Sequence, residues 1–106
     1  DSEGTLLIGV DSDWYNLDAH AEYKQNILTS VEKKMSDAVF NVIQTGLEGT
    51  FTGGDENQYV GNLANGGVRI SPEHEVTYPD GIQAELDALA DQIIAGELVV
   101  DSLYKN

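Results

Sequence analysis

The sequence TLLIGV at residues 5–10, followed directly by DSD at residues 11–13, decides the fold class. A short, unbroken apolar run between polar residues is typical of a strand buried on both faces of a parallel sheet. Helical and strand patterns follow in turn, which predicts α/β layers in which helices cover a sheet. We expect further strands beside the first one that this sequence does not supply.

Two helices are predicted from the spacing of apolar residues. The first covers about residues 30–45, because Thr29 and Glu32 form a capping-box pattern and Gly46 ends the apolar repeat. The second begins at the Pro-Asp pair of residues 79–80 and ends before Gly96. Both helices carry an apolar stripe on one face, as expected for helices that pack on a sheet.

The remaining predicted elements are short. Residues 59–63 and 68–70 flank an Asn-Gly pair, which predicts a short β-hairpin. The glycine-rich residues 46–54 predict turns, and residues 98–100 predict a final strand.

Composition narrows the classes of function. The 106 residues are enough for one small domain. The composition, with 41% hydrophobic and 23% charged residues, is typical of globular proteins. The net charge of −14 repels phosphate backbones, so nucleic acid is not an expected partner. The chain has no cysteine, which excludes disulfides and thiolate sites, and no apolar run near the ~20 residues of a membrane span.

Asp11 is the first candidate for binding a ligand. In open α/β sheets ligands bind beyond the carboxyl ends of the strands, where Asp11 is placed. A carboxylate can accept hydrogen bonds from two vicinal hydroxyls of a sugar. Asp13 is a weaker candidate of the same kind, and Trp14 is a weak one that can stack on a ring. By pattern alone, an aspartate after a strand is more often a turn or cap residue, and an aromatic residue such as Trp14 more often has a packing role.

Lys33 is the second candidate. It falls in the first turns of the predicted helix, where the macrodipole disfavours a cation, and an unfavourable placement invites a functional interpretation. Its direction, roughly 150° from the apolar stripe, is instead typical of a solvated lysine.

No catalytic or metal-binding residue is predicted, and no cofactor. His20 and His74 lack the paired spacing of a zinc site and are expected on the surface. No Gly-x-Ser-x-Gly elbow supports nucleophilic hydrolysis.

Five segments taken together resemble one known family. They are IGVDSD at 8–13, ILTSVEK at 27–33, GTFTGG at 49–54, the glycine-rich residues 61–68, and QIIAGE at 92–97. Their order and spacing are similar to those of the basic membrane protein family of purine nucleoside receptors, which are substrate-binding lipoproteins of ABC transporters. The resemblance spans nearly the whole chain.

The resemblance implies a type I periplasmic-binding-protein fold, in which two α/β lobes close on a nucleoside or related small solute for an ABC transporter permease. Residues 1–106 would form the C-terminal part, namely the second lobe plus return segments, with the N-terminal lobe absent. Asp11 and Lys33 would contact the ribose, and the family commonly has Gln at the position of Trp14. The protein would be extracytoplasmic, a cell-surface or periplasmic lipoprotein held to the membrane only through an upstream lipid anchor, and not an enzyme.

Two other classes remain open from the residues. The Asp-Ser-Asp of residues 11–13 also resembles the Asp-x-Asp of magnesium-dependent phosphotransferases and glycosyltransferases, where paired carboxylates hold the cation. The chain can also be a module that acts only through contacts with partner proteins.

Overall fold

The computed structural model describes residues 4–54 and 59–101 and shows a mixed α/β fold. A three-stranded sheet is combined with two α-helices and, after the first strand, with two 3-10 helical segments, Trp14–Asn16 and Asp18–Asn26. The strands and α-helices are β1 (Leu7–Asp11), β2 (Ile27–Lys33), α1 (Met35–Glu48), β3 (Val68–Ile70) and α2 (Ile82–Ala95).

The central strand of the sheet is β2. It pairs in parallel with β1 and in antiparallel with β3. Its residues Ile27, Thr29, Ser30 and Glu32 are four of the eight buried residues in the described parts of the chain. Because three of these four side chains are polar, hydrogen bonds contribute to this core as well as apolar contact.

The strand predicted at residues 5–10 is confirmed as β1, but the prediction that it is buried on both faces is wrong. Ile8 and Val10 are each more than half exposed, and Gly9 is the buried residue of this strand. The physical reason is that, among the described residues, neither α-helix packs closely over β1, so its outward-pointing side chains are left uncovered.

The helix predicted at about 30–45 begins later, because residues 27–33 form β2. Thr29 and Glu32 do not make a capping box: the Thr29 hydroxyl donates to the carbonyl of Ser71, and Glu32 binds Arg69. Helix α1 therefore starts at Met35 and continues to Glu48. The second predicted helix is confirmed as α2, which ends at Gly96 in the left-handed conformation (φ 78°).

The predicted hairpin is wrong in its pairing. Val68–Ile70 forms β3, but it pairs with β2, and residues 59–63 are not a strand. The amides of Asn62 and Asn65 each donate to the other residue's side-chain oxygen, so the turn closes on itself and a hairpin ladder does not form. The strand predicted at 98–100 is also not present.

Much apolar surface of α1 and β1 is uncovered. Val39, Phe40 and Leu47 of α1 are 59%, 69% and 85% exposed. The radius of gyration is 17.0 Å, against about 13 Å for a compact domain of this length.

Among the described residues, no helix has the length and apolar character needed to cross a bilayer.

The contact between β1 and β2 gives a first prediction. A Cβ atom at Gly9 would lie 2.4 Å from both Ser30 Oγ and Trp14 Cγ, so we expect Gly9→Ala to lower the free energy of unfolding by about 1–3 kcal/mol in urea titrations.

Gly46→Ala is the matched control, because a Cβ there meets nothing within 4 Å and Gly46 lies inside α1. It should raise stability by about 0.5–1 kcal/mol. Equal effects of the two substitutions would contradict the close packing at Gly9.

Candidate functional site

The parallel pairing of β1 with β2 places Asp11 and Lys33 at the same edge of the sheet. Asp11 is opposite Glu32 in the register, and Lys33 is the next residue of β2. Lys33 Nζ lies 2.9 Å from Asp11 Oδ1. The two residues that the sequence singled out separately are therefore in direct contact.

The backbone of Asp11 is in an unusual conformation. Its φ of 74° is the only positive value at a non-glycine position among residues 4–54 and 59–101. The left-handed region costs an L-residue roughly 1–2 kcal/mol, although aspartate tolerates it better than most. Such outliers cluster at functional sites, so this conformation supports a role for Asp11 beyond the sheet.

The Asp11–Lys33 pair is open to solvent. The Lys33 and Asp11 side chains are 63% and 52% exposed, and an exposed ion pair typically contributes about 0–1 kcal/mol to stability. Stability therefore does not explain why a strained aspartate is kept here. An exposed pair can also exchange its mutual contact for hydroxyl groups of a ligand at little cost.

The position of Lys33 corrects one prediction. Lys33 ends strand β2 and does not lie in the first turns of α1, so the helix macrodipole argument does not apply to it. Its side chain lines a cavity of about 290 Å³ together with Lys34, Met35 and Tyr59. This cavity lies between the start of α1 and the loop that precedes β3.

Asp13 has the cap role that the sequence left open. Its Oδ1 accepts the amide of Tyr15 at 3.3 Å, and its Oδ2 lies 2.9 Å from Asn16 Nδ2 and 2.7 Å from His74 Nε2. The Asp13 side chain is only 10% exposed. Both of its oxygens are engaged within the protein, and its contact with a ligand stays a prediction.

Trp14 packs on the end of the sheet. Its amide donates to Ser30 Oγ at 3.0 Å, its indole Nε1 donates to the carbonyl of Val10 at 3.0 Å, and its ring stacks on His20 at 4.4 Å. These contacts give Trp14 a packing role. Its stacking on a ligand stays a prediction.

Sequence reasoning missed the part played by His74. His74 was expected to lie on the surface, and this prediction is wrong, because its side chain is only 15% exposed and pairs with Asp13. The ring of Tyr15 also stacks on the imidazole with centroids 4.1 Å apart. No local pattern could have predicted this, because His74 and Asp13 are 61 residues apart in sequence.

A second network surrounds Glu32. Its carboxylate accepts from Arg69 Nε at 2.8 Å, from Arg69 Nη2 at 3.2 Å and from Ser71 Oγ at 2.8 Å. Burial acts to raise the pKa of Glu32, but the hydrogen bonds from Arg69 and Ser71, with the charges of Arg69 and Lys34, outweigh it and lower that pKa. Glu32 is thus held as an anion between β2 and β3.

The two aspartates of the Asp-x-Asp pattern face different partners. Asp11 contacts Lys33 and Asp13 contacts His74. In the described parts of the chain, no group of three or more His, Cys, Asp or Glu residues lies close enough together to hold a metal ion.

Comparison with known proteins supports the fold. No family profile matches this sequence, and no curated protein matches it significantly. A solved ABC transporter system solute-binding protein from Conexibacter woesei DSM 14684 is similar, with a TM-score of 0.65 and 24% identity. The match covers 94% of this chain and 31% of that one, so this chain spans about a third of that protein's length. The predicted α/β fold is thereby confirmed.

The Glu32 network gives a prediction of pH dependence. Because the pKa of Glu32 is lower in the folded state than its ordinary value of 4.5, its stabilisation is present above about pH 4.5 and is lost as the pH falls through the folded value. We expect Glu32→Gln to lower the free energy of unfolding by about 2 kcal/mol at pH 7. The loss should shrink as urea titrations are repeated at lower pH.

Glu48→Gln, on the exposed end of α1, is the control and should change stability by less than about 0.5 kcal/mol. If Glu32→Gln lowers the free energy of unfolding equally at pH 7 and pH 3, the proposed contribution of the ionised Glu32 carboxylate is wrong.

Proposed function

We propose that this chain is part of an extracytoplasmic solute-binding protein of an ABC importer, which binds a nucleoside, with a purine nucleoside as the favoured ligand. Residues 1–106 supply much of a second lobe, and a facing lobe completes the cleft. The protein belongs, in this proposal, to the basic membrane protein family and is held at the membrane by a lipid anchor. Its role is binding and delivery without turnover.

The observation that carries the proposal is the contact between Asp11 and Lys33. An exposed carboxylate and an ammonium group lie 2.9 Å apart at the carboxyl edge of a parallel strand pair, the place where α/β sheets bind ligands. The left-handed backbone of Asp11 adds a strained conformation that stability does not require.

The chemistry of the pair suits a ribose. The Asp11 carboxylate accepts hydrogen bonds from two vicinal hydroxyls, one on each oxygen, and Lys33 donates to a sugar oxygen. Lys33 also offsets the charge of Asp11, so the pair carries no net charge, which suits an uncharged ligand. Closing a second lobe over it removes water and strengthens these hydrogen bonds.

The uncovered apolar surface of the chain is consistent with a larger assembly. Parallel sheets are normally covered on both faces, whereas Ile8 and Val10 of β1 and the apolar face of α1 are exposed. The solved solute-binding protein of similar fold is about three times as long as the matched region. Both findings support a chain that packs against further α/β structure.

Asp11 gives the central prediction. We expect Asp11→Ala to abolish binding of adenosine, guanosine and inosine by the full-length protein, a loss of at least about 100-fold by titration calorimetry. Asp11→Gly should abolish binding as well while raising the free energy of unfolding by about 1 kcal/mol, because glycine adopts the left-handed conformation without strain.

Asp80→Ala, on the exposed loop before α2, is the control that should leave affinity unchanged. Unchanged nucleoside affinity in Asp11→Ala rejects the assignment of Asp11. Turnover of a nucleotide sugar or phosphoester with magnesium would instead favour the Asp-x-Asp enzyme.

Lys33 gives an independent prediction. Lys33→Met keeps the length of the side chain but removes the ammonium group, so we expect about a tenfold or greater loss of nucleoside affinity. The free energy of unfolding should change by less than about 1 kcal/mol, because the ion pair is exposed. A large loss of stability with unchanged affinity would show that the pair is structural.

A further inference from the structure

The cluster formed by Asp13, Tyr15, His74 and Glu75 lies outside the Asp11–Lys33 contact. His74 Nε2 lies 2.7 Å from Asp13 Oδ2, a distance that fits a charge-assisted hydrogen bond with the imidazole N–H as donor. Tyr15 stacks almost parallel on His74, at 8° between the rings, and its hydroxyl donates to Glu75 at 2.9 Å. Two hydrogen bonds and a ring contact therefore join the loop after β1 to the loop after β3.

The loop after β3 is itself fixed to β2. The amide of Ser71 donates to the carbonyl of Ser30 at 2.8 Å, and the Ser71 hydroxyl donates to Glu32. At the other end of this loop, the hydroxyl of Tyr78 lies 2.9 Å from Thr29 Oγ1. His74 thus sits between two attachments to the strand that also carries Lys33.

The loop after β1 follows directly on the strained residue Asp11, which ends that strand. Asp13 is two residues beyond Asp11 and caps the 3-10 segment Trp14–Asn16 through the amide of Tyr15. Asp11 itself makes its described side-chain contact with Lys33, an exposed pair that contributes little to holding a left-handed backbone. The loop after β1 is restrained instead by the Trp14 amide, which donates to Ser30 Oγ at 3.0 Å, and by the largely buried pair of Asp13 and His74.

We propose that His74 is a positioning residue for the ligand site: through Asp13 it fixes the loop after β1 and so holds Asp11 facing Lys33. The inference rests on the proposed function for its effect on affinity. In this inference Asp13 supports the position of the site residues and does not contact the ligand. Both site residues are then held relative to β2. Lys33 belongs to that strand, and Asp11 is held by its pairing opposite Glu32 and, on its other side, by the loop that His74 fixes.

The test compares two replacements of His74 in the same protein. His74→Leu removes the donor to Asp13, whereas His74→Gln keeps an N–H at a similar reach. With adenosine, guanosine and inosine as probes in calorimetry, we expect about a tenfold loss of affinity for His74→Leu and a loss within about threefold for His74→Gln. Thr77→Ala, an exposed position on the same loop, is the control and should bind as the wild type does.

A double-mutant cycle decides how Asp13 acts. If Asp13 acts through His74, Asp13→Asn lowers affinity in the wild type and adds nothing further in His74→Leu. Additive losses show that Asp13 affects the site independently of His74 and overturn the inference. Equal losses in His74→Leu and His74→Gln overturn it as well, as does unchanged affinity in both.

Fluorescence separates this inference from the proposed function. Trp14 is the single tryptophan of the 106 residues and belongs to the loop that His74 fixes. We expect its emission in this chain to shift to longer wavelength in His74→Leu and to be restored in His74→Gln. If no nucleoside binds the wild type, the proposed function fails, and the emission then decides: the shift with its rescue supports the loop restraint, and unchanged emission overturns it.

Discussion

The parallel pairing of β1 with β2 is the constraint on which the rest of the structure depends. Only a parallel arrangement puts the carboxyl ends of both strands at one edge, and that edge brings Asp11 to within 2.9 Å of Lys33 although they are 22 positions apart. The close approach of the strands is possible because Gly9 has no side chain and leaves room for Ser30 and the ring of Trp14. The geometry of the candidate site is therefore a consequence of sheet packing.

Strand β2 organises the molecule around polar contacts. Glu32 binds Arg69 and Ser71 of the β3 region, and Thr29 lies within hydrogen-bonding distance of Tyr78. These contacts are directional, so they fix the loop after β3 in one position relative to β2. An apolar core of the same size would hold the strands together but would not orient that loop so closely. The loop that contains His74 gains its defined position in this way.

The chain combines a sheet joined by many hydrogen bonds with a helix, α1, whose apolar face is largely exposed. The hydrogen-bond networks and the Asp11–Lys33 pair lie on the sheet and its loops, whereas α1 and α2 contribute little to them. The helices of an α/β fold bury their apolar faces against neighbouring layers, and such a layer does not cover α1 among the described residues. The local order of the site comes from contacts within this chain.

The sequence by itself determined the α/β class, the strand that leads to Asp11 and the helix that ends before Gly96, because local periodicity encodes these features. The sequence pattern also points to Lys33, but through a position in a helix that the structure replaces with the end of β2. Tertiary structure alone decided that residues 27–33 are a strand, that Val68–Ile70 pairs with β2, and that His74 binds Asp13. Thr29 and Glu32 match the sequence pattern of a helix cap. In the structure, however, their backbone pairs with β1 and their side chains hydrogen-bond to Ser71 and Arg69. The spacing of nearby residues cannot predict partners that are so far away in the sequence.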